Sequence, residues 1–313
     1  MENLVIDKSK FTPLSGEEKK VEVEFRPSIG YWKDVWQRLK RNKMALVGLA
    51  VVITIILAAI FVPIFSSYTY DANNLSIANS SPSSDHWFGT DHLGRDILVR
   101  VFFGARYSLI IAFVAAIINL VIGVVYGGIA GYFGGIVDNI LMRIVDVVSS
   151  IPLTIYVIIF MTIFSKPGDG GSGIGTIILA LSISYWISMA RIVRGDVLQL
   201  KQQEFVLAAR SLGVSKFKIL LRHLIPNCIG SIMVTLTLLI PEAVFTEAFL
   251  SFIGLGLTPP IASLGTLANE AMNAIYTYPY QLVPPAAAIC LIILAFNLFS
   301  DGLSEALDPK NKR

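Results

Sequence analysis

The chain has 313 residues, 54% of them hydrophobic and only 15% charged, with a formal net charge of +3. An average soluble domain carries about 25% charged residues, so a soluble enzyme or a nucleic-acid binder is excluded and a polytopic membrane protein is indicated. The two cysteines, Cys228 and Cys290, lie in apolar segments as reduced packing residues, with no disulfide framework or metal spacing.

Residues 1–43 read as a polar cytoplasmic tail, not a cleavable signal, because the first apolar run, Met44–Phe65, is longer than a signal core and starts late. The tail is expected to be disordered at first and to end in a basic amphipathic piece, 31–41. Trp32 and Trp36 lie one helical turn apart there, which suits an interfacial helix with its aromatics at headgroup depth, as an anchor or a docking surface.

Six spans are expected: Met44–Phe65, Ser108–Ala130, Val147–Phe164, Ile174–Ala190, Ile229–Phe249 and Ala286–Phe299. Lys and Arg concentrate in the tail, at Arg143, between Arg191 and Arg222, and in Lys310–Arg313, which the positive-inside rule reads as N-in and C-in. The first extracytoplasmic segment, 66–103, is expected to carry a surface helix. Leu93, Ile97, Leu98, Val101 and Phe102 share one face of it, and Asp91–Arg95 and Asp96–Arg100 pair on the other. In the second span Gly123, Gly127 and Gly131 repeat a GxxxG step that lets helices approach closely in lipid.

The membrane core is expected over 104–305, followed by a short cytoplasmic tail, 306–313. Asp138, Arg143 and Asp146 precede the third span, and Arg143 and Asp146 at i,i+3 form a structural clamp at the cytoplasmic edge. Glu242 and Glu247 follow Pro241, which should kink the fifth span; they line an outer gate or translocation path, or else reach water at the interface. The loop from Leu255 to Pro285 has the Gly, Pro and Tyr content of a folded lid, with Tyr276, Tyr278 and Tyr280 as interfacial aromatics.

The most informative stretch is 201–226. Glu204–Leu212 reads as a short helix with Phe205, Ala208, Ala209 and Leu212 on one apolar face, and Leu207 beside them. Gly213 turns the chain, Ser215 is an N-cap for a helix Lys216–Arg222, and Pro226 breaks the path after His223. The result is a rigid cationic elbow at the membrane surface, suited to press on a soluble partner. No phosphate-binding loop, zinc-helix motif or nucleophile elbow occurs, and His86, His92 and His223 are far apart. The chain is therefore not expected to hydrolyse ATP or act as an enzyme.

At these residues the chain resembles the permease subunits of ABC importers, whose loop reads EAA-x3-G-x9-I-x-L-P. Leu207-Ala208-Ala209-x3-Gly213 and Pro226 match in register, with Leu207, His223 and Ile225 as departures and Glu204 as a displaced acid. The flanks His86-Trp87-Phe88-Gly89-Thr90-Asp91, Gly94-Arg95-Asp96, Glu247-Ala248-Phe249-Leu250-Ser251-Phe252 and Asp301-Gly302-Leu303 point to the C-type permeases of oligopeptide and dipeptide importers. The resemblance implies an all-α fold of six transmembrane helices, the type I importer arrangement, in a bacterial cell membrane. It implies a second homologous permease, two ATPase subunits that hold ATP and Mg, and an extracytoplasmic peptide-binding protein as partners. This chain itself would bind no cofactor, and the loop 204–226 would couple it to an ATPase. Alternatives are the same architecture carrying nickel, glutathione or oligosaccharide, and, more remotely, an ion-coupled secondary transporter, which would want charged or broken helices at the midplane.

Overall fold

A computed structural model describes residues 30–164, 173–257 and 261–307. The helices are α1 (Tyr31–Leu39), α2 (Lys43–Phe65), α3 (Ile97–Phe133), α4 (Gly135–Ser149), α5 (Leu153–Phe164), α6 (Ile174–Leu200), α7 (Glu204–Ser211), α8 (Lys216–Ile219), α9 (Ile229–Phe252), α10 (Leu264–Met272) and α11 (Val283–Leu307). Most of the tail, 1–29, and the last residues, 308–313, lie outside the described residues.

Five stretches are long and apolar enough to cross a bilayer: α2, α3, α6, the path Lys216–Phe252 and the path Pro279–Leu307. A sixth crossing exists only if α4 and α5 are taken together, and these are bent by 79°. The expected third span, Val147–Phe164, is thus not one rod. Pro152 stands at the break; it lacks a backbone N–H and its ring obstructs the preceding turn, so α4 ends at Ser149.

α2 starts where Asn42 caps it, its Oδ1 accepting from the Ala45 amide at 3.1 Å. Only Ala45, Gly48, Val52 and Ala59 are buried on α2. These small residues let it lie on α11, where a Cβ added to Gly48 would stand 2.6 Å from the Ala295 carbonyl oxygen. α1 folds back on the same pair, burying Val35 and Leu39 against Ala45, Leu303, Ala306 and Leu307. Both described ends of the chain therefore meet at one end of the bundle, as N-in and C-in requires.

α3 is the central rod, 37 residues long, or about 55 Å at the ordinary helical rise. The GxxxG expectation is realised against α6. Cβ atoms added at Gly123, Gly127 and Gly131 would stand 2.5 Å from Met189 Cβ, 2.2 Å from the Ala190 carbonyl oxygen and 2.8 Å from the Arg194 carbonyl oxygen. The contacts advance together along both helices, so α3 and α6 run parallel with their backbones nearly touching. The main core gathers residues of α2, α3, α6, α9, α10 and α11, and a second cluster lies beneath the elbow.

The expected surface helix is absent among the described residues. Asp96 caps α3 directly, its Oδ1 accepting from the Val99 amide at 2.9 Å, so Ile97, Leu98, Val101 and Phe102 form the outer end of α3 itself. Helix-period apolar residues cannot tell a separate flat helix from the first turns of a long one. Ahead of it, 66–96 fold into an irregular cap over α10 and the start of α11.

Candidate functional site

The elbow is seated from below by α3 and α6. α7 ends in a glycine turn: the Val214 amide donates to the Ala209 carbonyl at 3.1 Å and the Gly213 amide to the Arg210 carbonyl at 3.0 Å. Gly213 takes φ +73°, a conformation that glycine adopts without strain. Ser215 stands at the N-cap of α8, as expected, but its side chain makes no capping hydrogen bond. The helix expected over Lys216–Arg222 does not stop at Pro226. α8 passes into a π-helical turn, Leu220–Leu224, then a 3-10 turn, Ile225–Cys228, and so into α9. Pro226 falls at the start of that last turn, where a missing N–H costs little. His223 lies in the π-helical turn, half-buried.

The buried residues of α7 are Val206 and Ala209, packed with Tyr132, Val193, Val197 and Ile219. Glu204, Phe205, Leu207, Ala208 and Leu212 face outward, so of the four residues expected on one apolar face only Ala209 turns inward. Leu212 is 82% exposed, Phe217 68% and Leu207 51%. Phe217 was not singled out in the sequence; its signal was an apolar ring between Lys216 and Lys218 on a four-residue helix. Two further ties fix the elbow: Lys201 Nζ donates to the Gly131 carbonyl at 2.7 Å, and the Arg210 guanidinium lies 5.7 Å from the Tyr132 ring centroid. Both satisfy or cover the end of α3, where carbonyls lack helical partners.

The cytoplasmic-edge acids pair with α6, not with Arg143. Asp138 accepts from Arg194 Nε at 2.5 Å and from Arg194 Nη2 at 2.6 Å, a bidentate clamp. Asp146 accepts from Arg191 Nη2 at 3.3 Å, and Arg143 belongs to neither pair. The i,i+3 pairing expected on α4 loses to α6, whose two arginines stand one turn apart along the acids' face.

Glu247 does not reach the surface of the chain. It is wholly buried, accepting from Ser108 Oγ at 2.6 Å and from Ser251 Oγ at 2.7 Å. Ser108 belongs to α3, so this carboxyl joins α3 to α9 inside the bundle. Glu242 is on the exposed side of α9, one turn before Thr246, whose hydroxyl shares a 2.5 Å hydrogen bond with Tyr185.

At the far end, Asp91 accepts from Arg95 Nε at 2.6 Å and is bonded to Arg100, while Glu270 of α10 accepts from Arg95 at 3.1 Å and Arg100 at 2.8 Å. Burial would raise the Asp91 pKa, but Arg100, the Arg95 backbone and side-chain bonds and the Arg95 charge outweigh it and hold the carboxyl below its ordinary value. Asp96 accepts from His86 Nδ1 at 2.8 Å rather than pairing with Arg100. Tyr280 donates to the Asn79 carbonyl at 2.7 Å, Gln281 reaches Asn79 and the Thr90 carbonyl, and Tyr276 is fully exposed. Asp91, His92 and Glu270 are the one group of possible metal ligands among the described residues, with ligand atoms within 4.8 Å of one another. Two guanidinium groups already neutralise both carboxylates, so the cluster is an ion-pair lock and not a cation site.

Residues 123–313 match the family described as binding-protein-dependent transport system inner membrane component, and residues 30–82 match the N-terminal TM domain of oligopeptide transport permease C. The chain is 48% identical to the oligopeptide transport system permease protein OppC of Bacillus subtilis, over 98% of this chain and 99% of that one. It is 45% identical to the dipeptide transport system permease protein DppC of the same organism, over 92% and 88%. Among solved structures it resembles an inward-facing MetNI methionine ABC transporter, with a TM-score of 0.53, 20% identity, and coverage of 68% of this chain and 96% of that one.

Proposed function

Because this chain belongs to the family of binding-protein-dependent transport system inner membrane components, we propose that it carries short peptides across the membrane under the drive of separate ATPase subunits seated on its elbow. The chain is a multi-pass membrane permease with the type I importer fold. The observation that carries the coupling role is the outward apolar tip: Leu207, Leu212 and Phe217 are exposed on an elbow whose base is locked to α3 and α6.

In this reading a second, homologous permease completes the path, two ATPases bind ATP and Mg below, and an extracytoplasmic binding protein delivers peptide above. The elbow residues Glu204, Phe205, Leu207, Ala208, Leu212, Ser215 and His223 belong to the contact or its rim, while Ala209, Gly213 and Pro226 shape it. Glu242, on the exposed side of α9, is the acid assigned to the path. ATP-driven closure displaces the elbow and rocks the packed helices between two arrangements. The contact must differ in free energy between those arrangements, since equal binding to both would shift nothing.

The test uses Leu212→Glu, which alters an exposed tip and leaves the fold intact. Membrane insertion should be normal, uptake of a labelled short peptide should fall at least about ten-fold, and ATP hydrolysis should lose its dependence on substrate. Cysteine at Leu207 should crosslink to a co-expressed ATPase. Normal uptake in Leu212→Glu, with no crosslink from any exposed elbow position, overturns the coupling role. Unlabelled glutathione, nickel or oligosaccharide that outcompetes the peptide overturns the cargo.

A further inference from the structure

The junction between α1 and α2 carries charge that the transport reading does not use. Beside it lies a cavity of about 400 Å³, bounded by Arg38, Arg41, Asn42 and Lys43 on one side and by Gly302 and Glu305 of α11 on the other. Arg38 is engaged with Asp34 at 2.5 Å, and Glu305 accepts from Asn42 Nδ2 at 2.9 Å. Arg41 and Lys43 are exposed and enter no ion pair among the described residues. Arg41 and Lys43 thus stand beside one carboxylate, and that carboxylate is already held by an amide.

The surroundings say what kind of anion fits. Met44 also lines the cavity, and it and Val47 are exposed at the start of α2, a helix that crosses the bilayer. Exposed cations therefore stand directly above an exposed apolar helix surface. On the other side α1 presents Tyr31, Trp32 and Trp36 outward, with Lys40 Nζ 5.2 Å from the Trp36 ring centroid. Aromatics of this kind settle at headgroup depth. A ligand matching both halves has a negative head and apolar tails. A soluble anion would leave the apolar surface unused, and an acidic protein would leave it exposed beneath the contact.

We propose that this cavity binds the phosphate headgroup of an anionic phospholipid from the cytoplasmic leaflet, with Arg41 and Lys43 contacting the phosphate and the acyl chains lying along α2. Cation clusters just cytoplasmic of a transmembrane helix attract such lipids; here a walled cavity adds a defined seat. Because Asn42 ties the seat to Glu305, a bound headgroup fixes the α1–α2 turn against α11, the helix end nearest the elbow cavity that Tyr31, Trp32, Ser304 and Leu307 line.

The experiment titrates phosphatidylglycerol into the full-length protein in non-ionic detergent and counts bound lipids by native mass spectrometry, with thermal unfolding in parallel. Non-ionic detergent supplies no charged surface, so only cations touching the headgroup count. Wild type should retain phosphatidylglycerol over phosphatidylcholine and unfold at a higher temperature in its presence. Arg41→Gln with Lys43→Gln should weaken retention about thirty-fold, on the order of five-fold for each cation. Lys33→Gln with Arg143→Gln, which removes the same charge from exposed positions outside the cavity, should change retention less than about two-fold. Equal losses in the two pairs, no preference in wild type, or full competition by millimolar inorganic phosphate would each overturn the proposal.

Discussion

Gly127 and Gly128 are neighbours on α3, and the structure assigns opposite signs to the same substitution at the two positions. In a helix interior alanine is favoured over glycine by about 1 kcal/mol, so on propensity alone both changes should stabilise. At Gly128 nothing opposes this: an added Cβ would meet Leu220 Cδ1 at 3.5 Å, ordinary contact. At Gly127 it would meet the Ala190 carbonyl oxygen at 2.2 Å, and that oxygen belongs to helix backbone and cannot swing aside. Relief requires α3 and α6 to part by about 1 Å, which forfeits a quarter to a half of the dispersion at each contact. The loss is on the order of 2 kcal/mol, within measured overpacking costs of about 1–3 kcal/mol. Gly127→Ala should therefore destabilise by about 1 kcal/mol net, and Gly128→Ala should stabilise by up to about 1 kcal/mol. Thermal unfolding of the purified protein, followed by tryptophan fluorescence with Trp186 near the interface, should separate the two variants by roughly 3 °C. If both shift the same way, the close approach of α3 and α6 is not what holds the bundle.

Asp138→Asn removes the charge from the bidentate clamp to Arg194 and should cost about 1–2 kcal/mol, whereas Arg143→Gln should stay within about 0.5 kcal/mol. Comparable losses would restore the pairing along α4 that the sequence suggested. The Asp91 carboxyl has a folded-state pKa below its unfolded value, so its contribution is fully present above the unfolded pKa, about 3.9, and is lost as pH falls through the lower folded value. Hydrogen exchange in 74–96 should accelerate below about pH 4 in wild type. In Asp91→Asn it should already be fast at neutral pH, with its acid dependence reduced; unchanged exchange in that variant would separate the cap from the ion-pair lock.

Features set by local periodicity were legible before any coordinates. The GxxxG repeat had to pack against something, and hydropathy placed five crossings, although α3 begins at Ile97 and α6 ends at Leu200, both well outside the expected bounds. The glycine turn at Gly213 was readable because a left-handed residue after a short amphipathic helix has few other uses. What failed depended on neighbours remote in sequence. Arg143 and Asp146 look paired at i,i+3 because nothing local reveals that α6 delivers Arg191 and Arg194 to the same edge. The burial of Glu247 was hidden because its partner Ser108 lies far back on α3. Phe205, Ala208 and Leu212 form an apolar stripe in either case. Only the packing of Val206 and Ala209 on α6 shows that the stripe points away from the chain.

That outward orientation bears on how force could travel. An elbow with its apolar stripe turned inward would be a closed structural loop and would offer a partner only charge. Here the inward anchors are small, Val206 and Ala209, while the tie points sit at the end of α3: Gly131 held by Lys201, and Tyr132 covered by Arg210. α3 and α6 also approach backbone to backbone at Gly127 and Ala190. A displacement applied at Leu212 therefore meets a close-packed interface. Its softest link is the π-helical stretch Leu220–Leu224, where the helical bonding changes register before α9 begins. Under load, α3 and α6 would move as one body with the elbow, and the adjustment would fall on the junction between α8 and α9.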